Sequence, residues 1–190
     1  MVAVCSATIP ALGTAVLDLL LVHWPMPMAG QYVATWRALA ELQSSGLVRS
    51  IGVSNFTVPH LQRLLEETGV RPVVNQVELH PGYQQQSLRE FHARHGILTQ
   101  AWAPLGQDGS LLGDPVIRQI AADKGRSPAQ IVLRWHVQVG NIVIPKSSSP
   151  QRLAENLSVF DFVLDEPDMK RISRLPQQRT GPDPETHAAR

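Results

Sequence analysis

A chain of 190 residues, 43% hydrophobic and 17% charged, suits a single domain with a substantial core and excludes a disordered or fibrous protein. Seventeen basic against sixteen acidic residues leave a net charge of +1, so no global field draws the chain to nucleic acid or to an acidic membrane. The single cysteine, Cys5, excludes an internal disulfide framework and a multi-cysteine zinc site and fits a reducing compartment. The first residues carry no charge up to Leu17, and the first basic residue is Arg37, a pattern unlike the basic start of a secretory signal. No apolar run approaches the roughly 20 residues that span a bilayer. The expected location is the cytoplasm.

Residues 16–22 are short, rich in Leu and Val, and end at the proline turn of Pro25 and Pro27, which predicts a strand buried on both faces with Asp18 as its one polar interruption. Residues 32–45 place Val33, Trp36, Leu39, Ala40 and Leu42 near helical spacing, with Gly46 as the stop. The strand and helix alternation recurs with 48–53 and 58–67, then 72–77 and 86–94, then 97–102. Two helices follow. Asp114 with Pro115 opens 114–124, and Ser127 with Pro128 opens a helix to 139, each showing a capping residue before a proline. Residues 141–144 form the last strand. Ser149 with Pro150 starts a helix to about 158, and Glu166 with Pro167 starts a final one to about 175. Residues 1–175 therefore read as one βα domain, and 176–190 as a polar, proline-rich tail that needs a surface to order it.

Special residues recur where the apolar runs stop: His23, then Ser54 and Asn55, Gln76, Trp102, and Lys146. If the runs are neighbouring parallel strands, these residues emerge on one face, where barrel enzymes place their chemistry. Each has a simpler reading. A histidine at a strand end is more often structural, Asn55 can serve only as a turn residue, Ser147 to Ser149 can serve only as helix caps, and Trp102 alone would be core. His80 keeps the structural reading. His92 and His95 lie three apart but lack carboxylate or cysteine support for a metal, and Glu66 with Glu67 reads as a solvated helix end.

Five sequence blocks occur in order at these strand ends: HWP at 23–25, IGVSNF at 51–56, NQVELHP at 75–81, AWAPLG at 101–106, and IPKS at 144–147 followed by Arg152, Glu155 and Asn156. Residues 17–175 thereby resemble the C-terminal two-thirds of an aldo-keto reductase, in particular the bacterial reductases of small carbonyl compounds such as 2,5-diketogluconate. The resemblance implies an α/β fold, the (β/α)8 barrel of that family, N-terminally truncated to about five of its eight strands. It implies hydride transfer from NADPH to an aldehyde or ketone, with no metal. His23 would orient the carbonyl, and Trp24 would line the substrate pocket. Ser54, Asn55 and Gln76 would grip the nicotinamide carboxamide, and Trp102 would stack on its ring. Pro104 and Leu105 fall in the same cofactor-binding block. Lys146, Ser147 and Arg152 would hold a phosphate beside a helix N-terminus, which favours NADPH over NADH, while Arg152, Glu155 and Asn156 would contact the adenine. No GxGxxG occurs, in agreement with a cofactor site unlike that of a Rossmann dehydrogenase.

In the family the proton comes from a tyrosine activated by a lysine and an aspartate, all ahead of the histidine. The 22 residues before His23 contain no tyrosine and no lysine, and Tyr32 and Tyr83 match neither position nor role. Two readings follow: a carbonyl reductase, or its recognisable part, and a non-catalytic module of the same type that binds nucleotide or a partner. Strands at Leu20 and Ile142 would be open sheet edges, so self-association is expected.

Overall fold

A computed structural model describes residues 13–187. Five strands hydrogen-bond in chain order: β1 (Leu17–Val22), β2 (Val48–Ser54), β3 (Val74–Glu78), β4 (Leu98–Trp102) and β5 (Ile142–Val143). The pairings of β1 with β2, β2 with β3, and β4 with β5 are parallel, as a strand and helix alternation demands, because parallel neighbours need a crossover between them. The chain falls into two compact units. Residues 13–76, 88–98 and 182–187 form the first, and residues 77–87 and 99–181 form the second.

In the first unit β1 runs beside β2 from Leu17 opposite Val48 to Val22 opposite Val53, and β2 meets β3 at Val53 opposite Asn75 and Ser54 opposite Gln76. Helix α1 (Tyr32–Ser44) buries Tyr32, Val33, Trp36, Leu39 and Leu42, the stripe its periodicity predicts. Helix α2 (Val58–Thr68) opens with a capping box between Thr57 and His60 and closes at Gly69, whose φ of 66° is one that L side chains rarely adopt. It buries Leu61 and Leu64. Helix α3 (Gln86–His95) buries Phe91 and His92. With Ile51, Val53 and Val74, these side chains make the unit's core.

The second unit holds β5 beside β4, with Gln100 opposite Ile142 and Ala101 opposite Val143. Its helices are α4 (Ser110–Gly113), α5 (Pro115–Lys124), α6 (Pro128–Gln138), α7 (Pro150–Leu157) and α8 (Glu166–Ser173). Caps define their starts: Asp114 accepts from Val116 N and Ile117 N, Ser127 from Gln130 N, and Ser149 from Arg152 N. Ile117, Ile120, Ile131, Val132, Leu133 and Trp135 form the core, and Lys124 at the end of α5 pairs with Asp165 and Asp168 at the start of α8.

Two expectations need correction. β1 is not buried on both faces: Asp18 and Leu19 are exposed, and among the described residues β1 pairs with β2 alone. The last strand shrinks from four residues to two, since only Ile142 and Val143 find partners on β4. Helix α8 does start at Glu166, behind a cap by Asp165 whose carboxylate accepts from Asp168 N. Helix α4 and a 3-10 turn at Pro27–Ala29 were not anticipated, being too short to show a period.

Gly52 lies in the middle of β2, and a Cβ there would sit 2.7 Å from both Leu21 Cδ2 and Val74 Cγ1 and 2.8 Å from Val74 O. Side chains of β1 and β3 thus fill the space over its Cα. Substitution Gly52→Ala is expected to cost about 1–3 kcal/mol by overpacking, read as a lower urea midpoint at unchanged slope.

Candidate active site

In the first unit the ends of β1 and β2 lie beside the middle of β3, where Gln76 sits two residues before the strand stops and not at its end as expected. His23, the first residue after β1, presents an exposed ring. Asn55 follows β2 in the left-handed region at φ 63°, one of four described non-glycine residues with positive φ. This turn lets its backbone N donate to Gln76 O at 2.9 Å while its amide Nδ2 donates to His23 O at 3.0 Å and Ser54 Oγ at 3.1 Å. Ser54 Oγ in turn donates to Gln76 O at 2.8 Å. Asparagine is among the few residues that tolerate this conformation, and only its short amide spans the gap to the neighbouring strand. His23, Ser54, Asn55 and Gln76 are therefore brought together by one lateral hydrogen-bond chain.

The turn is braced from below by a buried polar network that sequence reading missed. Asn75 Nδ2 donates to Phe56 O at 2.8 Å and lies 3.1 Å from His92 Nε2, while Phe56 N donates to Asn75 Oδ1 at 3.4 Å. With an amide N–H aimed at it, His92 Nε2 serves as acceptor, so the ring is neutral with its proton on Nδ1. Burial first, and Arg89 second, push the pKa of His92 down to about 4. His95, its sequence neighbour, stacks on Phe91 and bonds to that residue's backbone oxygen instead. Among the described residues no group of three or more His, Cys, Asp or Glu is arranged to hold a metal ion.

Trp24 is half-buried, 6.0 Å from the His23 ring between centroids, and lies against His187 at 4.1 Å. His187 belongs to the tail, which is ordered on this unit by Glu185: its carboxylate accepts from Thr57 Oγ1 at 2.9 Å and lies 3.5 Å from His60 Nε2. Burial lowers the pKa of His60, and Glu185 opposes that shift. Tyr32 is buried against Phe56 and His60, so its side chain is part of this packing.

In the second unit Trp102 ends β4, and Ala103 at φ 47° turns the chain sharply behind it, a strained conformation of the kind that gathers at functional sites. Pro104 is buried, with its carbonyl accepting from the buried His136 ring at 3.1 Å; Leu105 is half-buried. Lys146 follows β5 with an exposed side chain, and Ser147 Oγ accepts from Ser149 N at 3.2 Å. Arg152 is exposed on the first turn of α7, the helix that Ser149 caps. Lys146 and Ser147 thus precede, and Arg152 lies within, the first turn of a capped helix, whose start is a setting favourable to an anion. Asn156 is half-buried on the same helix, while Glu155 is drawn to the start of α6 by a short hydrogen bond from Ser127 Oγ.

Glu78, overlooked inside the NQVELHP block, is 1% exposed, and its carboxylate accepts from Thr180 N at 2.7 Å, Thr180 Oγ1 at 2.5 Å and Gly181 N at 2.9 Å, with His80 Nε2 at 3.4 Å. Burial alone would raise its pKa, but the hydrogen bonds from His80, Thr180 and Gly181 outweigh that and hold it at about 2. A carboxylate in an apolar strand was the signal that a donor cluster would meet it.

Parallel strands alternating with helices, with polar and aromatic side chains near their C-terminal ends, are the arrangement of the βα-barrel class, in which that face carries the chemistry. The model of the aldo/keto reductase family matches residues 2–176, and the chain belongs to that family. It is 55% identical over 181 residues to an aldo-keto reductase of Mycolicibacterium smegmatis, covering 95% of this chain and 66% of that protein. It is 52% identical over 171 residues to the methylglyoxal reductase DkgA of Escherichia coli, covering 89% and 62%. Among solved structures, a mutant of Gox0644 in complex with NADPH is 54% identical with a TM-score of 0.95, covering 99% of this chain and 70% of that one. The chain thus spans just under two thirds of the length of these curated relatives. No described helix is long and apolar enough to cross a membrane.

The His92 pKa carries a sign. Because the folded value lies near 4 and the ordinary one near 6.5, the unfolded chain takes up the proton first as pH falls. The stability from keeping His92 neutral is therefore complete above about pH 6.5 and lost towards pH 4, by at most about 3 kcal/mol. Urea midpoints measured across this window should fall for the wild type and fall less for His92→Gln, which cannot titrate.

Proposed function

We propose that this chain carries the cofactor-holding and carbonyl-orienting residues of an NADPH-dependent reductase of small aldehydes and ketones. The observation that carries the reading is the hydrogen-bonded chain His23, Asn55, Ser54 and Gln76 across three neighbouring strands. With the Asn55 Nδ2 and Ser54 Oγ hydrogens used in these bonds, the Asn55 amide oxygen would accept from the NH2 of a nicotinamide carboxamide, and the Gln76 amide brings both a donor and an acceptor to a group that presents both. Ser54 and the Asn55 amide nitrogen are tied to the backbone, so the grip is preorganised. Trp102 offers the flat ring for stacking, with Pro104 and Leu105 behind its turn. Lys146, Ser147 and Arg152 meet a phosphate at the start of α7, and Arg152, Glu155 and Asn156 meet the adenine. When bound, NADPH supplies a hydride. His23, exposed beside Trp24, orients the carbonyl oxygen by a hydrogen bond and shares its proton as charge develops there. The NADPH-bound neighbour and the methylglyoxal reductase support this cofactor and this substrate class.

A specific observation favours a second reading, a nucleotide-binding module without turnover. The chain's two tyrosines are engaged away from His23: Tyr32 is buried in an aromatic cluster, and the Tyr83 hydroxyl accepts from Arg179 at 2.6 Å. We also propose a cytoplasmic protein with no nucleic-acid or membrane partner, self-associating through the β1 and β5 edges, where Leu19, Ile142 and Ile144 are exposed.

NADPH is expected to quench tryptophan fluorescence saturably, with affinity lower by about tenfold for NADH and for Lys146→Ala. No quenching by NADPH would overturn both readings. NADPH oxidation with methylglyoxal above a His23→Ala control supports the reductase, whereas binding without oxidation supports the module. Sedimentation velocity should show association that weakens when Leu19 and Ile142 are replaced by lysine; a monomer at all concentrations would overturn the edge proposal.

A further inference from the structure

The tail residues next to Trp102 are built to a tolerance that ordering the tail alone does not require. Residues 177–179 are stapled to the turn after β3: Gln84 N donates to Gln177 Oε1 at 2.6 Å, Gln178 N donates to Gly82 O at 2.7 Å, and the Arg179 guanidinium lies 4.9 Å from the centre of the Tyr83 ring while donating to its hydroxyl. The chain then delivers Thr180 and Gly181 to the two oxygens of Glu78. Just past β3, Leu79 N donates to Trp102 O at 3.4 Å, which ties the tryptophan's backbone to the residue next to Glu78.

Gly181 is the telling residue. Its φ is outside the left-handed region, so conformational freedom is not its reason for being there. A Cβ would stand 2.8 Å from Glu78 Oε2, 3.3 Å from Trp102 Cζ3 and closer still to Trp102 Cη2. The bare backbone is therefore seated against the far edge of the indole ring, and the carboxylate behind it has no room to retreat. An indole pressed on its edge by fixed backbone cannot swing about its side-chain torsions.

We propose that Glu78, Thr180 and Gly181 are positioning residues that clamp the Trp102 indole in the plane on which a nicotinamide ring stacks. The proposal rests on the NADPH reading above, and it adds that ring orientation is set by the chain's C-terminal segment through a buried carboxylate. Glutamate is required there because four donors face its two oxygens; a glutamine at 78 would turn its NH2 towards a backbone N–H. Glycine is required at 181 for space alone.

Near-UV circular dichroism and tryptophan fluorescence of the cofactor-free protein read the ring directly. Gly181→Ala and Glu78→Gln are each expected to change the part of the signal that Trp102→Phe removes, and to leave unchanged the signal that remains in the Trp102→Phe background. Trp102→Phe lacks the Cη2 and Cζ3 atoms, so the double variant Gly181→Ala/Trp102→Phe should recover the urea midpoint that Gly181→Ala loses. With cofactor, Gly181→Ala should weaken NADPH binding by about three- to tenfold, the scale of one ring stack, while the NADPH to NADH affinity ratio stays as in wild type. An unchanged Trp102 signal in both single variants, or no recovery in the double variant, would overturn the clamp. Should Gly181→Ala fail to fold, Thr180→Val, which loses one donor to Glu78 and adds no bulk at the ring, gives the same spectral test. A spectral change in a chain that binds no NADPH would sustain the clamp and overturn the cofactor reading instead.

Discussion

Everything in the first unit's site depends on one short side chain in an unfavourable backbone conformation. Asn55 adopts the left-handed region at a conformational cost, and its main-chain N–H and side-chain amide thereby reach the end of β1 and the middle of β3 at once. Parallel strands hydrogen-bond along their length but have nothing of their own to hold their ends in register once the ladder stops. The Asn55 and Ser54 bonds to His23 O and Gln76 O supply that link. The backbone at His23 and Gln76 and the side chains of Ser54 and Asn55 are thereby tied together rather than left as the tips of separate loops.

Behind that turn the interior is polar where a packed core would ordinarily be apolar. Asn75 satisfies both polar groups of Phe56, and a neutral His92 closes the network, at the expense of a histidine that resists protonation when buried. Such a network is stable only when every member is paired, so it specifies one geometry for the Asn55 turn more sharply than hydrophobic packing would. The second unit uses the same device with a carboxylate: Glu78 is buried, kept ionised by surrounding donors, and spent on holding a segment a hundred residues further along the chain.

The tail shows how composition can mislead about order. Residues 176–187 are rich in proline and polar groups and carry little apolar surface to bury, which is the signature of a chain that stays mobile on its own. Here they are held by hydrogen bonds to residues already rigid: Gln84, Gly82, Tyr83 and Glu78 in one unit, and Thr57, His60 and Trp24 in the other. Glu185 and His187 were invisible as contributors because nothing in their spacing points to a partner more than a hundred residues away.

Helices, strands and their alternation were legible because apolar periodicity and caps are local, and the site blocks because each ends a strand whose limits that same periodicity marks. Errors fell where a neighbour decides the outcome: Leu19 exposed on β1, and β5 cut to the two residues that find partners. By itself the sequence determined the family, the parallel βα architecture and the residue types at the strand ends, since these reside in patterns a few residues long. Only the tertiary structure decided that Asn55 bridges to His23, that Asn75 and His92 brace it, and that Glu78 and Gly181 close on Trp102. Those contacts join positions 17 to 103 residues apart, and such separations are resolved by the packed fold and not by any local preference.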